Sequence, residues 1–139
     1  MSKIVRKCHQ NGAALVLDLT QSVGALTFNA SEIQPDFMVA AGYKWLLGPY
    51  ATGFLYVAPK HRNGRPLEQN WITRDNASNF ARLIDYTDGY APGSERFDMG
   101  ERSNFALLPA FEEAVKLILD WGVANIEETL GHRNRQISA

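Results

Sequence analysis

Apolar residues fall in short blocks separated by polar, glycine-containing connections. Ile4, Val5 and Cys8 recur at helical spacing, with Ser2 suited to cap that helix and Asn11-Gly12 to stop it. Ala13-Ala14-Leu15-Val16-Leu17 is a continuous apolar run closed by Asp18, and Phe37-Met38-Val39-Ala40-Ala41 is a second run that leads through Gly42-Tyr43 to Lys44. Strands of a parallel sheet covered on both faces read in this unbroken way. Gly53-Phe54-Leu55-Tyr56-Val57 predicts a third strand. The gap from Lys44 to Gly53 is shorter than the dozen or more residues of a parallel crossover, so this strand should be antiparallel.

Residues 30–36 form a polar connection with room before it for a short helical turn. Residues 59–66, with Lys60, His61, Arg62 and Arg65, read as a solvated loop. Residues 74–91 read as a long irregular stretch with one turn of helix near Phe80 to Ile84. Leu107, Leu108, Phe111, Val115, Ile118 and Leu119 then share one face of a helix. Asn104 is its expected cap, Pro109 falls in its first turn, and Gly122 ends it. A last helix carries Ile126, Leu130 and Ile137, with Arg133 and Arg135 near its end, where cations are favoured. The pattern is that of an α/β protein with a mixed, mostly parallel sheet.

Composition narrows the picture. The chain has 139 residues, 45% apolar, and a formal net charge of −1. This describes a globular domain and gives no reason to expect nucleic acid or an acidic membrane surface as partner. No apolar run approaches the ~20 residues of a membrane span, and residues 1–10 lack the apolar core of a signal peptide. The single Cys8 cannot form an internal disulfide, and a reducing, cytoplasmic setting is the expectation. His9, His61 and His132 are scattered, without the spacing of a metal site.

Lys44 and Asp18 change the picture most. A lone lysine just past a core strand can simply face solvent. If it is buried instead, its ammonium is disfavoured, and a neutral amine is a nucleophile that condenses with aldehydes. In open α/β sheets ligands bind beyond the carboxyl ends of the strands. Two parallel strands would bring Asp18 and Lys44 to the same edge. That pair suits pyridoxal phosphate: the lysine forms a Schiff base and the acid keeps the ring nitrogen protonated. Asp18-Leu19-Thr20-Gln21 also reads as a turn, since Asp and Thr favour turns through local hydrogen bonds.

Asp18-Leu19-Thr20-Gln21, Tyr43-Lys44, Gly48-Pro49 and Gly53-Phe54-Leu55-Tyr56-Val57 together resemble the class V aminotransferases, a group of fold-type I pyridoxal-phosphate enzymes. That group includes cysteine desulfurases, kynureninases and isopenicillin N epimerase-like proteins. The likeness runs from about Ile4 to about Ile137, and Pro92 to Gly100 resembles the family's Arg-Phe-acid-x-Gly segment. Each motif is weak alone; their order and spacing carry the resemblance.

The resemblance implies a partial chain. Residues 1–103 would be the C-terminal half of the cofactor-binding large domain, and 104–139 helices leading toward an absent small domain. It implies that Lys44 holds pyridoxal 5'-phosphate as a Schiff base and that Asp18 pairs with the ring nitrogen. Gln21 would support the ring oxygen. Tyr43, Trp71 and Asn104 would reach the phosphate, the last two from the neighbouring subunit of a homodimer. The substrate would be a small amino acid, with transamination or kynureninase-like carbon–carbon cleavage as the reaction. The other reading is a non-catalytic relic that folds or oligomerises without cofactor. The isolated chain is expected to show no turnover, because the phosphate-binding turn would lie upstream. Outside the family, Trp71 reads as packing and Asn104 as a helix cap.

The chain departs from the family in four places. Tyr43 replaces the histidine that desulfurases carry before the lysine, as in kynureninase-like members. Ala41 stands where desulfurases often have Ser or Thr. Tyr50 and Ala51 interrupt the glycine-rich turn, and Glu101-Arg102 intervene before Ser103-Asn104. These differences argue against a desulfurase.

Overall fold

The computed structural model describes residues 2–138, with side chains from Lys3; the Ser2 cap lies outside the described side chains. The chain runs α1 (Ser2–Gln10), β1 (Val16–Asp18), α2 (Ala30–Ile33), β2 (Phe37–Ala41), β3 (Gly53–Val57), α3 (Leu107–Trp121) and α4 (Val123–Ile137), with four 3-10 turns between β3 and α3. The strands lie in the order β1-β2-β3. β1 and β2 are parallel, with Val16 opposite Phe37, Leu17 opposite Met38 and Asp18 opposite Val39. At the start of β3 the Gly42 N–H donates to Thr52 C=O at 2.7 Å, while Gly53 lies against the Ala40 carbonyl. One strand steps back as the other steps forward, the antiparallel sense expected of so short a connection.

β1 is shorter than the apolar run that predicts it. The Leu15 N–H donates to the Asp36 carboxylate at 2.7 Å, and the Leu15 carbonyl accepts the N–H groups of Asp36 and Phe37 at 2.9 and 3.1 Å. The run therefore enters the sheet through a side-chain bond, and ladder pairing starts one residue later. β2 stops at Ala41, short of the lysine its apolar approach leads to, and it also differs from its prediction in burial. Met38 and Ala40 are buried while Val39 is exposed, so among the described residues the strand covers one face rather than two.

α2 is a single turn capped by Asn29, whose Oδ1 accepts the N–H groups of Ser31 and Glu32. α3 starts at Leu107 with Ala106 at the cap position, two residues beyond the expected Asn104. Pro109 falls in its first turn, where its missing N–H costs no helix bond. Gly122, at φ +78°, ends α3 and opens α4 in one residue. The predicted apolar face of α3 is only partly covered: Ile118 is 3% exposed, but Leu119 is 67% exposed. On α1, Ile4 is exposed and Val5 half-buried.

Two compact units emerge: Met1–Leu55 with Phe105–Ala139, and Tyr56–Asn104. The core of the first is Leu15, Leu19, Ala25, Met38, Ala40, Leu46 and Ile118. In the second, the stretch from 74 to 91 is not loose. An Arg74–Tyr90 bridge closes it, the Ala91 N–H donates to Thr73 C=O at 2.8 Å, and the Arg74 guanidinium lies 4.5 Å from the centre of the Tyr90 ring. Phe80–Arg82 forms the expected helical turn, as a 3-10 turn. No helix among the described residues is long and apolar enough to cross a membrane.

Candidate functional site

The carboxyl ends of β1 and β2 meet at one edge of the sheet. Asp18 is the last residue of β1, and its Oδ1 accepts the Thr20 N–H at 2.9 Å. The Thr20 hydroxyl and that N–H together hold the Asp18 carboxyl below its ordinary pKa, so it is ionised at neutral pH. The Thr20 Oγ1 accepts the Ala41 N–H from the end of β2 at 3.1 Å. Gln21 is exposed on the turn that follows, where the Ser22 and Val23 N–H groups both donate to Leu19 C=O at 2.9 Å.

Lys44 does not end the strand, as its apolar approach suggests. β2 stops at Ala41, and Lys44 is exposed in the loop beyond. Burial therefore does not single this lysine out; its place does. Among the described residues its amine has no ion-pair partner, and Nζ lies 5.4 Å from the centre of the Tyr43 ring. Tyr43 stacks on Tyr50, with centroids 4.7 Å apart and planes at 26°.

The loop is held from two sides. Gly24 has φ +94°, and a Cβ there would lie 2.4 Å from the Trp45 carbonyl oxygen. Only glycine allows that approach. On the other side Phe111 of α3 packs against Gly48, where a Cβ would meet its ring at 2.5 Å. Leu46 is buried beneath, while Trp45 and Leu47 on either side remain exposed. Leu47 at φ +54° and Ala51 at φ +63° complete the return to β3.

Asp18, Gln21, Tyr43 and Lys44 thus belong to the first unit and share one sheet edge. Trp71 and Asn104 belong to the second. Trp71 opens a 3-10 turn capped by the Asn70 side chain and meets Phe80 edge to face at 5.8 Å. The Arg-Phe-acid-x-Gly segment is tied internally: Arg102 pairs with both Glu95 and Asp98, and the Arg96 Nε donates to Ala91 C=O at 3.0 Å. Arg102, which interrupts the family pattern, therefore acts as a brace for that segment.

From the sequence Thr20 reads as a turn residue and Phe111 as part of a helix face, but not the bond of Thr20 to Ala41 or the contact of Phe111 with Gly48. Those, and the parts played by Gly24 and Asp36, come from long-range contacts.

The aminotransferase class-V profile matches residues 1–137. The chain belongs to the aminotransferase class-V family. Pyridoxal 5'-phosphate is the cofactor of this family. Among its relatives is a kynureninase from Deinococcus radiodurans, 33% identical over 102 residues, covering 72% of this chain and 24% of that protein. Another is the L-cysteine desulfhydrase-like protein lolT1 from Epichloe uncinata, 33% identical over 104 residues, covering 60% of this chain and 23% of that protein. The apo cysteine desulfurase from Thermococcus onnurineus NA1 shares the fold, with a TM-score of 0.68 and 22% identity over 96% of this chain and 33% of that one. The chain spans about a quarter of the length of the two curated relatives.

Proposed function

We propose that this chain carries the lysine half of a pyridoxal-phosphate site that acts on an amino acid, with Lys44 as the residue that holds the cofactor. The single observation that supports this most is the parallel pairing of β1 and β2, which puts Asp18 and the Lys44 loop at one sheet edge. The residues fit the group. Lys44 offers an exposed amine with no ion-pair partner among the described residues. Asp18 is an acid held ionised, as a pyridinium nitrogen requires. Gln21 stands one turn further on, and Tyr43 adjoins the lysine. When bound, the cofactor supplies an electron sink for carbanions at the substrate's α carbon. Asp18 would hold the proton on the ring nitrogen. Lys44 would hold the cofactor and move the α proton, and Tyr43, Trp71 and Asn104 would orient the phosphate, the last two from the neighbouring subunit of a homodimer.

Within the family, Tyr43 before the lysine and the kynureninase relative favour kynureninase-like hydrolysis as a second reading beside transamination. The test is to add pyridoxal phosphate, reduce with borohydride and map the peptides. A pyridoxyl group on Lys44 is expected; the same group on Lys60 or Lys116, with Lys44 unlabelled, would overturn the assignment.

A further inference from the structure

Thr20 stands between the two groups on which the proposed function rests, and it bonds toward both. Its N–H donates to the Asp18 Oδ1 at 2.9 Å, and its Oγ1 accepts the Ala41 N–H at 3.1 Å. Ala41 is the last residue of β2, and Lys44 lies three residues beyond. Beyond Leu19, whose N–H donates to Val39 C=O at 2.8 Å, the strand ladder gives way to this side-chain bond. Thr20 is half-buried.

We propose that Thr20 is the positioning residue of this site, fastening the Asp18 carboxylate to the end of β2 so that the acid and the Lys44 loop keep a fixed separation. The inference rests on the cofactor reading for its purpose, though the fastening itself is a property of the chain alone. A valine matches threonine in shape but removes the oxygen; a serine keeps the oxygen and drops a methyl group. The backbone bond from residue 20 to Asp18 survives both changes, so any difference between them belongs to the hydroxyl.

The first measurement uses the chain without cofactor. Amide exchange at Ala41 should speed up about tenfold in Thr20→Val, since its acceptor is gone, and return to within about threefold of wild type in Thr20→Ser. The carbon shift of the Asp18 carboxyl should move in the valine variant and return in the serine one. Unchanged exchange in Thr20→Val, or failure of serine to restore it, overturns the proposal.

The second measurement uses pyridoxal phosphate as the probe and compares its dissociation from wild type, Thr20→Val, Asp18→Asn and the double variant. Because Thr20 acts through Asp18, the double variant should lose no more than Asp18→Asn alone. Additive losses overturn the positioning role even if the exchange result holds. If the wild-type chain retains no probe at Lys44, the cofactor reading fails, and the exchange and carboxyl measurements alone decide whether Thr20 fastens the strand ends.

Discussion

The two ends of the β1–β2 pair carry an aspartate each and treat it in opposite ways. At the amino end Asp36 is 1% exposed, and its carboxylate takes the Leu15 N–H while its own N–H returns to the Leu15 carbonyl. At the carboxyl end Asp18 is exposed, and its carboxylate accepts the Thr20 N–H of the turn that follows. The difference shows how a short parallel pair divides labour. One end is closed by a buried side chain that sets the register. The other leaves Asp18, Gln21, Tyr43 and Lys44 exposed at the carboxyl edge, the edge where ligands bind in open α/β sheets. An acid in this sheet therefore cannot be assigned a role by its type, only by the end it occupies.

The largest effect should come from breaking the closed end. Asp36→Ala leaves the buried Leu15 N–H without its acceptor and should cost about 2–4 kcal/mol in urea unfolding. Asp18→Asn should leave the unfolding midpoint where it is and weaken pyridoxal-phosphate retention instead. Equal losses of stability from the two substitutions would erase the distinction between the ends.

A smaller effect is expected where the closed body supports the open end. Gly24→Ala places a Cβ against the Trp45 carbonyl in a backbone region closed to alanine. It should cost about 1–3 kcal/mol. Because the clash falls on the Lys44 loop, tryptophan fluorescence should shift and pyridoxyl labelling of Lys44 should fall together. A stability loss with labelling unchanged would show that Gly24 does not shape the loop.

Much of this was legible in the sequence because it is local. The apolar runs of β2 and β3, the break at Gly122 and the turn at Phe80 each follow from a few adjacent residues. The family was legible from the order of four short motifs, and the comparisons bear it out. The rest depends on contacts across 20 residues or more. Asp36 sits in a stretch that reads as a polar connection, and nothing local says that its carboxylate turns inward to Leu15. Within the loop that Lys44 starts, Leu46 is buried against Gly24 while Trp45 and Leu47 stay exposed, and nothing local to 45–47 says which of the three goes in.

The smallest effect sharpens the comparison by testing strain at the open end alone. Ala51, in the turn that leads to β3, sits at φ +63°. An alanine there crowds its Cβ against the backbone, at about 1–2 kcal/mol relative to a relaxed conformation. Ala51→Gly removes that cost but gives back unfolded-chain entropy, about 0.4–1 kcal/mol. The balance should favour the variant by about 0.5–1 kcal/mol, a rise in Tm of about 2–5 °C for a chain of this size. Ala110 is the control: it is exposed in the first turns of α3, where glycine only adds freedom to the unfolded state. Ala110→Gly should lose about 0.5–1 kcal/mol. The two alanine-to-glycine changes should thus move thermal stability in opposite directions. Should both lower it, the turn after Gly48-Pro49 does not hold Ala51 in the left-handed region, and the open end is relaxed rather than strained.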